Sequence, residues 1–219
     1  MNESAAHCAE PAEDPKNVRT KRRGNRATRV PEIIRVSTGV LAEWGASGYS
    51  VNRVAAEAGI RLSTLQHYFG TREQLLLATI RDIYSRYVDL YMKLCSDDTK
   101  SPEKRLDAVA DLIFDDLLIG NSDVSAFVLE CWALAEREPR IREMVEEGSR
   151  QFQKIWSELI AEMNPNLSHA ECAVRATLIE THAEGLMVLC KRSRPTEHHL
   201  NALRRATKAT WHGLGRASG

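Results

Sequence analysis

Residues 61 to 72 carry a run of short hydrogen-bonding side chains that offers the clearest chemistry in this sequence. Such groups suit the donors, acceptors and methyl groups that base pairs present in the DNA major groove, which admits one α-helix. We expect five residues to contact base edges: Asn52, Leu62, Ser63, Thr64 and Gln66. We expect six others to hold phosphates: Arg53, Arg61, His67, Tyr68, Thr71 and Arg72.

Two short helices joined by a tight turn must position these side chains. Apolar residues recur at helical spacing from Val51 to Ala58, and Gly59 then supplies the backbone freedom that a helix stop needs. Leu65 and Phe69, four residues apart, give the second helix an apolar face toward the first. The spacing therefore predicts a helix-turn-helix over residues 50–69.

These residues also carry a family resemblance. The run Val54-Ala55, Ala58-Gly59, Leu65, His67-Tyr68-Phe69 and Arg72-Glu73-Gln74-Leu75 resembles the DNA-binding segment of the TetR family of bacterial repressors, and its ending is similar to the BetI-like branch. The resemblance implies an all-α fold with an N-terminal helix-turn-helix three-helix domain and a C-terminal helical ligand-binding and dimerisation domain. It also implies a homodimer that binds a palindromic DNA operator and is released by a small-molecule inducer, whose identity the sequence does not give.

The sequence departs from the family pattern at three positions of the second helix. Arg61 stands where the family usually has Ser, Ser63 stands near a usual Gly, and Gln66 stands where Tyr is frequent. The missing Ser removes an N-cap worth roughly 1 kcal/mol, while Arg61 adds a phosphate contact. These departures bear on operator preference rather than on the docking mode.

Charge is distributed unevenly along the chain although the net charge is zero. Residues 1–15 carry four acidic and no basic groups, residues 16–96 carry fourteen Lys and Arg against six Asp and Glu, and residues 97–219 carry sixteen against twenty. The positive segment contains the predicted helix-turn-helix, as phosphate binding requires. We expect residues 1–26 to be a disordered basic arm that either follows the DNA or is only a solubilising tail.

A long helix is predicted to connect two domains. Thr71 and Gln74 form a capping box, and the apolar stripe that follows continues to Cys95, a length of about 36 Å. We place the DNA-binding domain at residues 27–87 and the ligand-sensing and dimerisation domain at residues 88–219.

The helices near the C-terminus favour association of two copies. The predicted helix from Ser168 to Cys190 is rich in small residues, which let helices approach closely. Together with a last helix that carries Trp211, it would form a four-helix interface between two copies. The alternative is that the same residues form the buried core of a monomer.

The family resemblance also implies a ligand cavity among the C-terminal helices. Ten residues are candidates for its lining: Tyr87, Tyr91, Phe114, Phe127, Cys131, Trp132, Phe152, Trp156, His182 and Met187. Aromatic residues at helical spacing also serve simply as core. An apolar lining with Glu130, Arg175 or His182 nearby suits a lipid, an aromatic compound or a cation.

Other classes of protein find little support. No apolar run approaches the roughly 20 residues of a membrane span, and the N-terminus lacks the apolar segment of a signal peptide. Five scattered cysteines suggest reduced thiols in a cytoplasmic protein, and no motif for a metal, a cofactor or a catalytic site occurs. The competing class is a helical ligand-binding or scaffold protein that no longer binds DNA, which the unusual Arg61 and Ser63 would fit.

Overall fold

A computed structural model describes residues 26–120 and 122–217, and these residues are helical apart from short connections. The α-helices are α1 (Arg26–Gly48), α2 (Val51–Glu57), α3 (Leu62–Phe69), α4 (Arg72–Cys95), α5 (Pro102–Leu112), α6 (Ser122–Ala135), α7 (Pro139–Met163), α8 (His169–Ser193) and α9 (Glu197–Arg216). Between α5 and α6 the chain forms a π-helical segment, Ile113–Gly120. The all-α prediction is confirmed. The predicted basic arm lies outside the described residues, except for Arg26 at the start of α1.

Side chains that cap backbone groups determine where several helices begin. The Thr71 hydroxyl accepts the Gln74 N–H at 3.2 Å, and the Gln74 amide oxygen accepts the Thr71 N–H at 3.0 Å. Ser168 and Glu171 form the same reciprocal pair at the start of α8. Both predicted capping boxes are therefore present, and each satisfies two N–H groups that have no partner within the helix.

One hydrophobic core runs through both halves of the molecule. It includes Leu65 of α3, Ile80 and Tyr91 of α4, and Ile160 of α7, all of them buried. Helix α1 packs along α6, and α7 packs against both α4 and α8. Through α1 and α4, the N-terminal helices are therefore in direct contact with helices of the C-terminal half.

Candidate DNA interface and ligand cavity

Helices α2 and α3 are held in a fixed relation by a small buried cluster and a glycine turn. Val54 and Leu65 are fully buried. The Ser50 hydroxyl accepts the Arg53 N–H at 3.2 Å and caps α2. Gly59 has a φ of +59°, in the region that favours glycine, and lets the chain reverse before α3. This arrangement is the predicted helix-turn-helix.

The outer face of α3 is open to solvent. Leu62, Ser63, Gln66 and His67 are exposed, and Thr64 and Tyr68 are half-buried beside them. Asn52 of α2 and Arg61 before α3 are exposed as well. Arg61 occupies the N-cap position without a side-chain capping bond, as expected from the absence of Ser. The expected base-reading residues thus lie on, or close to, one accessible helix face.

Two of the expected phosphate-binding arginines have partners within the protein. Arg53 donates to the Gly48 carbonyl at 2.5 Å, and its guanidinium lies 4.2 Å from the ring centroid of Trp44. Arg72 donates from Nε to the Tyr49 carbonyl and from a terminal nitrogen to the Ala46 carbonyl, both at 3.0 Å. The backbone carbonyls of residues 46–49, just before α2, therefore occupy some of the donors with which these guanidiniums were expected to hold phosphates.

The other four residues expected to contact phosphates differ in how accessible their side chains are. The Thr71 hydroxyl accepts a hydrogen bond in the capping box, and the Tyr68 ring lies 5.9 Å from the Arg26 guanidinium carbon. His67 packs edge-on to Tyr68 but stays exposed, and Arg61 extends into solvent. Arg61 and His67 are therefore the most accessible groups for phosphates.

A cavity of about 80 Å³ lies between α4, α6, α7 and α8. Six of the ten expected lining residues surround it: Tyr87, Tyr91, Trp132, Phe152, Trp156 and Met187. A space of this size accommodates a small molecule of several non-hydrogen atoms.

Four rings of the cavity wall pack against one another. Phe152 stacks on Tyr84 and on Trp156 with ring centroids 6.0 Å apart in each pair, and it meets Tyr91 edge-on at 5.1 Å. The indole N–H of Trp156 is buried and has no hydrogen-bond partner among the described residues. A buried donor without a partner is costly, so an acceptor that reached it would be stabilised.

Two carboxylates interrupt this aromatic wall, and both were missed as cavity residues by the sequence analysis. Glu180 is only 7% exposed and accepts a hydrogen bond from Gln153 at 2.5 Å. Burial and the neighbouring Glu180 charge raise the pKa of Glu184 from 4.5 to about 7. The two residues are four apart on α8 and so share one face of that helix. A cavity walled by aromatic faces thus carries two carboxyl groups, of which Glu184 is about half protonated near pH 7.

The remaining four expected lining residues lie elsewhere. Phe114, which lies in the π-helical segment, packs with Leu186 and Leu200 in a separate small cluster. Phe127 and Cys131 are fully buried and do not border the cavity. His182 does not line it either, because its Nδ1 accepts the Trp211 indole N–H at 3.1 Å. Aromatic or polar character did not distinguish these core positions from true lining residues.

No group of three or more His, Cys, Asp or Glu residues in the described part of the chain is arranged to hold a metal ion. No helix in residues 26–120 or 122–217 is long and apolar enough to cross a membrane.

A helix-turn-helix with an open second helix, joined through one core to a helical domain with an internal cavity, defines a DNA-binding transcription regulator. Comparison with known proteins identifies its family. Residues 33–79 match the N-terminal model of bacterial regulatory proteins of the tetR family. Residues 102–214, more than half of the chain, match the model of the BetI-type transcriptional repressor C-terminal domain. The chain therefore belongs to the TetR family and carries a BetI-type C-terminal domain.

Individual relatives agree with this assignment. The HTH-type transcriptional regulator BetI of Escherichia coli O17:K52:H18 is 28% identical over 145 residues, which are 66% of this chain and 72% of that protein. BetI of Stenotrophomonas maltophilia is 25% identical over 165 residues, covering 75% and 82% of the two chains. The protein is a transcriptional regulator and not an enzyme.

Solved structures share the fold. The fatty acid degradation regulator FadR from Bacillus halodurans superposes with a TM-score of 0.73 at 18% identity, covering 89% of this chain and all of that one. FadR from Bacillus subtilis, solved with stearoyl-CoA, has a TM-score of 0.69 at 16% identity, with 86% and 99% covered. At these identities the likeness concerns the fold alone.

Proposed function

We propose that this regulator represses transcription as a homodimer that reads its operator through α3 and leaves DNA when a compact organic cation enters the C-terminal cavity. The observation that carries the ligand class is the pair Glu180 and Glu184 in a cavity walled by aromatic rings. In domain terms, residues 27–87 bind DNA and residues 88–219 sense the ligand and dimerise.

The DNA contacts divide into two groups by exposure. Gln66 stands on the open face of α3 and presents a donor and an acceptor, which suits a base edge. Arg61 extends into solvent before α3 and carries the charge that phosphates attract. Arg53 and Arg72 act instead by fixing the turn that precedes α2, because their guanidiniums bond its carbonyls.

Selection of operator fragments from genomic DNA, followed by gel shifts, tests the DNA-binding half of the proposal. Gln66→Ala should change which sequence is preferred, with a loss of roughly 1–3 kcal/mol at one base pair. Arg61→Ala should weaken all sequences alike and lower the slope of log affinity against log salt concentration. A chain that selects no sequence would instead be a helical ligand-binding or scaffold protein.

The proposed dimer is supported by one face of α8. Val174, Leu178 and Val188 are large apolar residues that are 45% to 61% exposed on this helix. A Cβ added at Gly185 of the same helix, or at Gly213 of α9, would meet no atom within 4 Å. An apolar stripe with room for close approach suits a second copy of the same helix pair. Leu178→Glu should convert the dimer to a monomer in sedimentation velocity, whereas Leu90→Glu, an exposed apolar residue on α4, should not.

The ligand class follows from the charge and the aromatic faces together. A cation over the faces of Tyr and Trp rings gains the attraction of the ring quadrupoles, and two carboxylates add direct charge attraction. The unpartnered Trp156 N–H favours a ligand that also carries an acceptor oxygen. An acyl-CoA, such as the one bound by the Bacillus subtilis structural neighbour, would bring negative phosphates and a long chain to a cavity of about 80 Å³.

Calorimetry with small quaternary ammonium compounds tests the ligand half. Tetramethylammonium should bind the wild type and should bind Glu180→Gln more weakly, while tert-butanol, a neutral molecule of similar size, should bind neither. Tighter binding of stearoyl-CoA than of any small cation would contradict the ligand class and leave the DNA-binding half intact.

A further inference from the structure

One hydrogen bond joins α6 directly to α1, the helix that precedes the helix-turn-helix. The carboxylate of Glu130 accepts the backbone N–H of Ala46 at 3.1 Å, across 84 positions of sequence. It lies over a break in α1, where Gly45 adopts φ +62° and ψ −177°. A Cβ added at Gly45 would stand 3.4 Å from the Glu130 carboxylate oxygen, so the carboxylate is seated closely against the break.

The break explains why a carboxylate is useful at this point. After Gly45 the helical turn starts again, because the Tyr49 N–H bonds the Gly45 carbonyl at 3.0 Å. The Ala46 N–H is therefore at the start of a new turn and has no acceptor within it. A negative charge at the start of a helical turn forms a charge-assisted hydrogen bond and meets the positive end of the peptide dipoles. Glu130 thus acts as an N-cap that is supplied by another helix.

The capped turn, residues 46–49, holds the arginines that position the DNA-reading helices. Its carbonyls at Ala46 and Tyr49 accept hydrogen bonds from Arg72, at the start of α4. Its Gly48 carbonyl accepts one from Arg53 of α2. A shift of the turn would therefore displace both the helix before α3 and the helix after it.

The opposite face of α6 borders the ligand cavity. Val128 and Trp132 line that cavity, each two residues away from Glu130. At about 100° per residue, a side chain two positions along a helix points to nearly the opposite side. One rigid helix thus contacts the cavity on one face and holds the Ala46 N–H on the other.

We propose that Glu130 is the positioning residue through which α6 transmits the state of the cavity to the DNA-reading helices. A molecule seated against Val128 and Trp132 moves α6, the Glu130 carboxylate withdraws from the Ala46 N–H, and the turn at 46–49 loosens. Operator affinity falls because Arg53 and Arg72 no longer fix α2 and the start of α4. The inference rests on the proposed function in that a ligand enters this cavity.

The test needs neither an identified ligand nor an operator for its first measurement. Val128→Phe fills part of the cavity from α6 and replaces the ligand as a perturbation. Amide hydrogen exchange of Ala46, followed by mass spectrometry of peptides from the end of α1, reports whether its N–H is held. We expect Val128→Phe to raise the exchange rate of Ala46 by about tenfold when Glu130 is present, and by less than about twofold in the Glu130→Ala background.

The second measurement is the operator affinity of four proteins: the wild type, Val128→Phe, Glu130→Ala and the double variant. Val128→Phe should weaken operator binding in the wild-type background and have little effect when Glu130 is Ala. Glu130→Gln, which keeps an acceptor oxygen, should retain most of the response. Glu136→Ala removes an exposed carboxylate just beyond α6. In this background Val128→Phe should weaken operator binding as much as it does in the wild type. Thermal unfolding confirms that each variant is folded.

Two results would overturn the role of Glu130. One is an exchange rate of Ala46 that Val128→Phe leaves unchanged. The other is an effect of Val128→Phe on exchange and operator affinity that is equally large in the wild type and in Glu130→Ala. Because exchange is measured on the free protein, a failure of the proposed ligand class leaves this measurement interpretable.

Discussion

The affinity of the cavity for a cation should depend on pH through Glu184. Burial and the charge of Glu180 raise the pKa of Glu184 to about 7, so the empty cavity holds a proton there below neutral pH. Ionisation of Glu184 adds a second negative charge to an aromatic cavity, and a cation binds that form better. Binding of the cation therefore releases the proton, and the apparent affinity rises with pH.

The size of the effect follows from the pKa. If the cation binds only the ionised form, the apparent dissociation constant is multiplied by 1 + 10^(pKa − pH). With a pKa of about 7, the affinity for tetramethylammonium should rise by roughly 30-fold between pH 5.5 and pH 8.0. Near pH 7, about half a proton should leave the protein for each cation bound.

Isothermal titration calorimetry measures both quantities. Titrations across this pH range give the affinity, and titrations in two buffers of different ionisation enthalpy give the number of protons released. Glu184→Gln is the matched control, because it keeps the size of the side chain and removes its titration. It should bind with an affinity that no longer changes across the range and should release no proton. A pH-independent affinity in the wild type, or the same pH dependence in Glu184→Gln, would refute the reasoning.

Four further predictions test other parts of the structure. Thr71→Ala removes the capping box of α4 and should lower the free energy of unfolding in urea by about 1 kcal/mol; an unchanged urea midpoint would contradict this role. Gly148→Ala places a Cβ against the Tyr84 ring, so it should weaken cation binding in calorimetry, and unaltered affinity would show that the ring can move aside. Because the folded-state pKa of Glu184 lies above its ordinary 4.5, this residue contributes less to stability as pH rises from about 4.5 to 7. The free energy of unfolding in urea, measured for the wild type relative to Glu184→Gln, should therefore fall over this pH range. A rise would contradict the linkage. Deletion of residues 2–25 should leave thermal unfolding unchanged and lower DNA affinity most at low salt, and an unchanged salt slope would identify that segment as a tail.

Local signals made much of the fold predictable. A capping box such as Thr71 with Gln74 involves side chains and backbone three residues apart, so its meaning does not depend on the rest of the fold. The turn at Gly59 and the buried Val54 and Leu65 follow from spacing within two short helices. The helix-turn-helix could therefore be placed from the sequence alone.

The cavity could be predicted only in part, because helical periodicity identifies a buried face but not the void beside it. Tyr91 and Phe127 are both buried aromatic residues, yet only Tyr91 borders the cavity. In the sequence, Glu180 and Glu184 occupy positions typical of the polar face of an amphipathic helix. Their place in the cavity wall depends on how α7 and α8 pack. The π-helical segment, which contains Phe114, gave no signal in the sequence.

The hydrogen-bond partners of Arg72 could not be predicted from the sequence for a related reason. The carbonyls of Ala46 and Tyr49 face Arg72 only because α1 breaks at Gly45 and turns again before α2. A sequence pattern shows an arginine at the start of a helix beside a DNA-reading segment, which favours a phosphate contact. Tertiary hydrogen bonds then occupy donors of the same side chain.

The proposed dimer doubles the effect of the one Glu130 carboxylate in each protomer. Two α3 helices enter successive major grooves only at a separation near one turn of DNA, about 34–36 Å, so a modest shift in either protomer disturbs both contacts. A hydrogen bond to a charged group contributes about 1.5–3 kcal/mol. Two Glu130 links, one in each protomer, would therefore bias the equilibrium between DNA-competent and released shapes by about 3–6 kcal/mol. A change from almost fully bound to almost fully released needs about 5.5 kcal/mol of differential affinity. The two links together reach this value only at the upper end of their range, and one link alone does not reach it. A monomeric Leu178→Glu variant should therefore bind operator DNA weakly and lose most of its response to the cation.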